Sequence, residues 1–307
     1  MLKYSKFLGL IVFVFLFAMC NQKSKNESDK ETILKGSLDI AVDETIKPIV
    51  DDQVAVFEGT YYGAKINVKP ESEAEIINDL LNQKTKVAVT ARNLSQEELT
   101  RFEKSKIKPR VTPFAVDAIA LISSKSNNDT LIALKTVIDF MQGNSNTGIK
   151  GLVFDNPNSS TVRFMKELAK VKNVPSQNVF SFKTNEEVIK FVSENSGMIG
   201  VVGVNWLSQP SPNLVEIVKK INVLSVKGLK DDKYYSPTQN DLAEVKYPLA
   251  RELFIINCQG YNGLGMGFGS FIAGDIGQRI VLKSGLLPIK TPGRKLQIRK
   301  ELLKDNE

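Results

Sequence analysis

Residues 151–165 read GLVFDNPNSSTVRFM, and this order of residue types leaves few folds open. Leu152, Val153 and Phe154 form an apolar run that ends a buried strand, and Asp155, Asn156, Pro157 and Asn158 make a turn. Ser159, Ser160 and Thr161 then stand where a helix begins, with Val162, Met165 and Leu168 on its apolar face. The first backbone N–H groups of a helix have no partner within it, and the helix dipole is positive at that end. Three hydroxyls added there suit an oxyanion, although such a cluster taken alone is more often an ordinary N-cap.

The same pattern recurs along the chain. Residues 37–42 alternate as a first strand, and Asp43, Glu44 and Thr45 precede helical spacing through Ile46, Ile49, Val50 and Val54. After a short strand at residues 66–68, Ser72 opens a helix with Ile76, Ile77, Leu80 and Leu81 on one face. Residues 86–90 form another strand, closed by Thr90, Ala91 and Arg92 before Ser95 starts a helix. Strands alternating with helices predict an α/β fold, in which parallel strand ends and helix N-termini share one crevice. Residues 114–122 add an apolar strand carrying a buried Asp117, and residues 130–140 a helix. The chain is expected to cross to a second lobe near residues 120–125 and to return near 240–250.

In that second lobe Thr184, Asn185, Glu186 and Glu187 read as a capping box, and residues 196–203 as a glycine-bounded strand. Further on, Gly263, Gly265, Gly267 and Gly269 do not give the spacing of a dinucleotide-binding turn. Phe268, Phe271, Ile272, Ile276 and Ile280 instead predict one amphipathic helix, ended by Gly285 before Pro288. Residues 290–307 form a charged tail.

With 307 residues, 42% of them hydrophobic, the chain can bury two cores of ordinary size. Lys3 and Lys6 precede an apolar run from Phe7 to Met19 that is too short for a typical spanning helix and is laid out as a secretory signal. Phe17, Ala18, Met19 and Cys20 together resemble the end of a bacterial lipoprotein signal, which implies lipidation of Cys20. An uncleaved anchor is the other reading and leaves the same domain outside the membrane. Residues 21–31 are polar and read as a tether. The 41 basic residues, less Lys3 and Lys6, stand against 34 acidic ones and leave a charge of +5. That excess is scattered, without the basic stripe and aromatics of a nucleic-acid binder. Cys258, within the apolar run 253–258, is expected to be a buried and unreactive thiol.

Three further pieces carry a resemblance to a known family. Tyr247, Pro248, Leu249, Ala250 and Arg251 are similar to a Tyr-Pro-x-x-Arg return strand; residues 277–281 and 283–288 are similar to a closing helix and its end; residues 196–203 are similar to a GAIGYVG strand. From about Leu38 to Ile289 the chain resembles the phosphate-binding lipoproteins (PstS-like) of bacterial ABC importers, within the type II periplasmic binding protein family. The resemblance implies two α/β lobes, each a mixed sheet flanked by helices, with a ligand cleft between them. The first lobe would comprise residues 36–120 and 246–289 and the second residues 121–245, after a signal at 1–19 and a tether at 20–35.

The resemblance further implies that Thr45, Ser72, Thr90, Ala91, Arg92, Asn158, Ser159, Ser160 and Thr161 bind inorganic phosphate or a similar oxyanion. It implies no cofactor, a monomer, a lipid anchor as the sole membrane attachment, and an ABC importer permease as partner on the periplasmic or extracytoplasmic face. The chain also departs from the family. Asp155 stands where an arginine is expected to clamp the anion, and Glu71, Glu73, Asn158 and Ser160 replace glycines. Arg92 or Arg163 is then left to supply the clamp, and each equally suits a surface or inter-element ion pair.

Two other classes compete with a binding module. An enzyme on this fold, such as a phosphate-ester hydrolase, is disfavoured: histidine is absent, no metal-ligand spacing stands out, and no serine has an evident base. A sensor or interaction lipoprotein with an altered or lost ligand is favoured by Asp155 and the pair Glu71 and Glu73. For the anchor the outcome is specific. Cys20→Ala is expected to move the protein out of the membrane fraction or leave it uncleaved, and unchanged acyl labelling of that variant would refute the lipidation site.

Overall fold

Strand β4, Arg110–Ser124, is the longest strand and belongs to both halves of the molecule. The structure, a computed structural model, describes residues 31–144 and 146–293. From Arg110 to Ala118, β4 pairs antiparallel with β12, Ala250–Asn257; from Ile119 to Ile122 it pairs with β8, Met198–Gly203. The change of partner falls between Ala118 and Ile119. There the Ala118 carbonyl accepts from the Val204 amide at 2.8 Å, and the Ile119 amide donates to the Leu249 carbonyl at 2.9 Å. The β12 register shifts between Leu253 and Phe254, beside Pro113 of β4, because proline has no N–H for the ladder.

The first lobe is built on β1, Gly36–Asp43, β2, Ala64–Glu71, and β3, Val87–Thr90, in the order β2-β1-β3-β12-β4. Side chains alternate across this sheet. Leu38, Ile40, Val42, Val87 and Val89 pack in one cluster with Ile49, Val50 and Phe57 of helix α1, Lys47–Thr60. On the other face the smaller Ala41 and Ala88 accept Ile76, Ile77 and Leu80 of α2, Glu73–Leu81, and Phe102 of α3, Gln96–Lys104.

The second lobe adds β6, Gly151–Phe154, and β7, Val179–Ser181, parallel to one another, with β6 also parallel to β8. Helix α5, Ser160–Ala169, follows β6, and α6, Asn185–Glu194, follows β7. Residues 130–140, expected as one helix, divide into β5, Leu131–Ala133, and α4, Leu134–Met141. Pairing of β5 with β10, Ser225–Lys227, takes the first residues out of the helix, a tertiary override of local propensity. Short helices α7, Asn205–Ser208, α8, Val215–Val218, and α9, Gln239–Ala243, with strands β9, Ile221–Val223, and β11, Tyr234–Tyr235, fill the return path.

After β12 the expected single helix is two: α10, Leu264–Ile272, and α11, Asp275–Lys283, separated at Gly274, with β13, Leu287–Pro288, closing on β4. Ile276, assigned from the sequence to the packed face, is 44% exposed as a result. Phe268 and Phe271 of α10 meet Phe57 edge-on at 5.3 and 5.2 Å between ring centres. Cys258 is half-buried, and burial pushes its thiol up to about 11, so it stays protonated. The residues of the signal, most of the tether and the tail beyond residue 293 lie outside the described residues.

The glycine spacing of α10 has a packing cause. A Cβ at Gly267 would lie 1.6 Å from the Ile33 carbonyl oxygen, whereas one at Gly269 would meet only Ile255 methyl groups at 3.8 Å. Gly267→Ala is therefore expected to lower stability by about 1–3 kcal/mol. Gly269→Ala should raise stability by up to about 1 kcal/mol through helix propensity. Urea midpoints of the two variants check the opposite signs.

Candidate functional site

The crevice between the lobes is closed by a turn that leaves β1 and by the first turn of α5. Asp43 ends β1, and its carboxylate accepts the Thr45 amide at 3.0 Å, which folds Glu44–Ile46 into a single 3-10 turn ahead of α1. The Thr45 carbonyl then takes the Trp206 indole N–H at 3.0 Å and the Asn205 amide at 3.3 Å. Gly203 allows that approach, since a Cβ there would sit 2.5 Å from the Thr45 carbonyl oxygen. On the other side Ser159 caps α5 by accepting the Val162 amide at 3.3 Å, which leaves Ser160 and Thr161 as the first helical residues, both fully buried.

The two sides meet on an arginine. Arg251 of β12 is 5% exposed; its Nη1 donates to Ser160 Oγ at 2.8 Å and its Nη2 to Thr45 Oγ1 at 3.0 Å. The two hydroxyl oxygens are themselves 3.0 Å apart. Behind them, Arg251 Nε and Nη2 both donate to Asp117 Oδ2 of β4, at 2.9 and 2.8 Å. The remaining hydroxyls of this helix start, those of Ser159 and Thr161, turn to a carboxylate. Ser159 Oγ and Thr161 Oγ1 each donate to Asp155 Oδ1 at 2.5 Å, and Asn185 Nδ2 donates to Asp155 Oδ2 at 3.2 Å. Asn185 also reaches across the crevice to Glu44, its Nδ2 donating to Oε2 at 2.7 Å and its amide to Oε1 at 3.2 Å.

Of the residues expected at the site, Thr45, Ser159, Ser160 and Thr161 are brought together. Ser72 gives its hydroxyl to Glu75 at 2.7 Å as a helix cap, Thr90 gives its own to the Arg92 carbonyl at 2.8 Å, and Ala91 is buried. Asn158 is exposed, with its carbonyl accepting the Ala74 amide of the first lobe at 3.3 Å. Arg92 and Arg163 are held elsewhere. Both donate to Glu73, Arg92 Nε at 3.1 Å and Arg163 Nε at 2.5 Å; Arg92 also forms a two-pronged pair with Glu98, and Arg163 donates to Glu167 at 2.9 Å. Glu73, 3% exposed, thus ties α2 of the first lobe to α5 of the second.

Arg251 was read from the sequence only as part of a return strand. Its signal is one of two adjacent charges, Arg251 and Glu252, inside the otherwise apolar run Leu249 to Ile256, and it stands opposite Asp117 in an equally apolar strand. Asp43, Glu44 and Asn185 carried no such signal, because acids and amides beside helix starts are ordinary caps.

The electrostatics are mixed in sign. Asp43 and Asp117 are fully buried, and burial pushes both carboxyls up while Arg251 draws them down. Burial lifts Asp155 to about 6 against the hydrogen bonds of Ser159 and Thr161. Glu44 is lifted to about 8, by burial first and then by the neighbouring Asp155 charge. The site therefore gathers a guanidinium, hydroxyls and helix amides alongside carboxyls able to accept or hold protons.

A comparison across families matches the PBP superfamily domain to residues 27–275. The phosphate-binding protein PstS of Borreliella burgdorferi is 26% identical over 298 residues, 92% of this chain and 99% of that protein. The phosphate-binding protein PstS of Pseudomonas aeruginosa is 22% identical over 288 residues, 86% of each. Among solved structures, one described as a phosphate ABC transporter substrate-binding protein with bound phosphate, from Clostridium perfringens, superposes with a TM-score of 0.70 at 18% identity. It covers 83% of this chain and all of that one. An ABC-type phosphate transport receptor from Vibrio cholerae gives 0.62 at 15% identity, over 82% and 99% of the two chains.

The raised carboxyls make stability depend on pH. A carboxyl whose folded pKa lies above its unfolded value stabilises fully below the unfolded value, and that contribution is lost as pH rises through the folded pKa. With no histidine in the chain, Asp155 and Glu44 lead the side-chain titration between pH 5 and 8.5. The melting temperature is expected to be highest near pH 5 and to fall by several degrees toward pH 8.5. Glu44→Gln should flatten the upper part of that fall, and a level profile in the parent protein would contradict the burial of both groups.

Proposed function

The chain belongs to the PBP superfamily, and on that premise we propose that it is an extracytoplasmic receptor that binds inorganic phosphate, or a similar oxyanion, for an ABC importer. The observation that carries this reading is the convergence of Thr45 and Ser160, one from each lobe, on the Arg251 guanidinium at the start of α5. A dehydrated oxyanion needs fixed donors, and here it would find a guanidinium, two hydroxyls and the amides of Ser160 and Thr161, which have no intrahelical acceptor. Arg251 takes the clamping role that Asp155 cannot fill. A carboxyl such as Asp155 or Asp43 accepts the proton of a protonated phosphate, a bond that a fully ionised anion such as sulfate does not offer. The phosphate-binding relatives and the neighbour solved with bound phosphate support the ligand class.

The division of labour follows the strand crossings. Residues 36–120 and 246–289 form one lobe and residues 121–245 the other, and opening between them parts Thr45 from Ser160 and exposes Arg251. Lipid on Cys20 holds the receptor at the membrane, where a permease receives the anion. A second reading, a sensor or interaction lipoprotein with an altered or lost ligand, is favoured by one observation: the Ser159 and Thr161 hydroxyls are given to Asp155, and Thr45 already contacts Ser160.

Calorimetric titration separates the two. The receptor reading expects phosphate to bind and to displace sulfate, and expects Ser160→Ala to weaken phosphate by roughly 5- to 150-fold, about 1–3 kcal/mol, with a smaller change in melting. Absence of phosphate binding by the parent protein across pH 5.5 to 8 would favour the second reading. A Ser160→Ala protein that binds as tightly as the parent would remove Ser160 from the site.

A further inference from the structure

The first lobe has a pole remote from the cleft, where β1, β3 and β4 begin at Gly36, Val87 and Arg110 and β12 ends at Asn257. The chain arrives from its N-terminal side at this pole. Glu31 is fixed there by three donors: Gln259 Nε2 at 3.1 Å, the Tyr261 hydroxyl at 2.9 Å and the Leu264 amide, at the start of α10, at 2.6 Å. Residues 20–30 alone separate Cys20 from this anchored glutamate. Fully extended, they span about 40 Å, so a lipid on Cys20 keeps this pole within that distance of the bilayer.

The surface beside Glu31 is mixed in charge, and it turns cationic and partly apolar toward Arg110. Two adjoining grooves share Lys86, Gln259 and Tyr261, and Lys106, Lys108 and Arg110 line the second. All four basic side chains are exposed, and among the described residues none forms an ion pair. The acids nearby are mostly engaged: Glu31 is held as above, Asp79 pairs with Lys84 at 3.2 Å and Asp39 with Lys69 at 2.5 Å, Glu71 also lines the first groove, and Glu103 lies on the last turn of α3. Tyr261, 46% exposed, lies under the Lys86 ammonium at 5.9 Å, and Ile33 and Leu34, 44% and 42% exposed, follow Glu31 in the chain. Lysines are drawn to anionic headgroups, and a tyrosine ring with an apolar body and a polar tip settles at headgroup depth.

We propose that this pole is a second membrane contact, resting on anionic lipid headgroups around the tether and holding the cleft away from the bilayer. The proposal uses the lipoprotein reading only for the distance from Cys20, and the contact can be measured without the lipid. Residues 20–307 carrying Cys20→Ala are mixed with vesicles of phosphatidylcholine alone or with 30% phosphatidylglycerol, and bound protein is sedimented. Binding is expected on the anionic vesicles only, and it should be lost in 0.5 M salt. Lys106→Glu with Lys108→Glu should weaken it at least about tenfold, while melting and phosphate titration stay at the parent values. Equal binding to both vesicle types, binding that survives salt, or an unaltered double variant would overturn the proposal. Acyl labelling of the parent chain reports on Cys20 separately, so the failure of one idea does not hide in the failure of the other.

Discussion

The buried pair of Arg251 and Asp117 is the interaction on which the arrangement of this molecule depends. Each group is almost wholly removed from water, and a buried ion pair repays its desolvation only when the leftover donors and acceptors are also satisfied. Asp117 uses two of the five guanidinium donors through one oxygen, and the outward-facing nitrogens are met by Thr45 and Ser160, while the second Asp117 oxygen, Oδ1, is buried without a hydrogen-bond partner among the described residues. The pair sits on β12 and β4, beside the residue at which β4 changes sheets, so the charge at the base of the cleft is also a joint of the scaffold. Removing one partner leaves an uncompensated charge in the core, a loss on the order of 3–5 kcal/mol in comparable buried pairs.

Much of the fold could be read in advance because strand ends and helix starts obey local rules. Ser72, Ser95, Ser159 and Thr184 each cap a helix, and the α/β alternation follows from those starts. The misreadings came from contacts distant in sequence. Leu131 to Ala133 left a helix for a strand because β10 pairs with them, and the break at Gly274 lets α10 and α11 pack separately. At the site, hydroxyl positions were legible but their hydrogen-bond directions were not. The sequence leaves Arg92 and Arg163 open to either an anion or an ion pair, and folding settles the choice by placing Glu73 between them. Arg251 hid in the opposite way, inside a stretch whose strand character explained it too easily.

Within the site the balance of charge decides what anion is welcome. One guanidinium faces Asp43, Asp117 and Asp155, so the ionised site opposes a dianion unless protons remain on the carboxyls or on the ligand. The relatives that this chain resembles carry phosphate in their names. Binding on such a site becomes a reaction of anion and proton together.

The placement of β12 has a consequence for how the chain comes into being. β12 lies between β3 and β4 in the sheet, yet it follows both by well over a hundred residues in sequence. During synthesis the first half therefore emerges with its central strand still unmade, and its sheet cannot close until residues 250–257 have left the ribosome. Closure of the first sheet is thereby deferred to the last fifth of the chain, which couples the folding of the first lobe to the completion of the second.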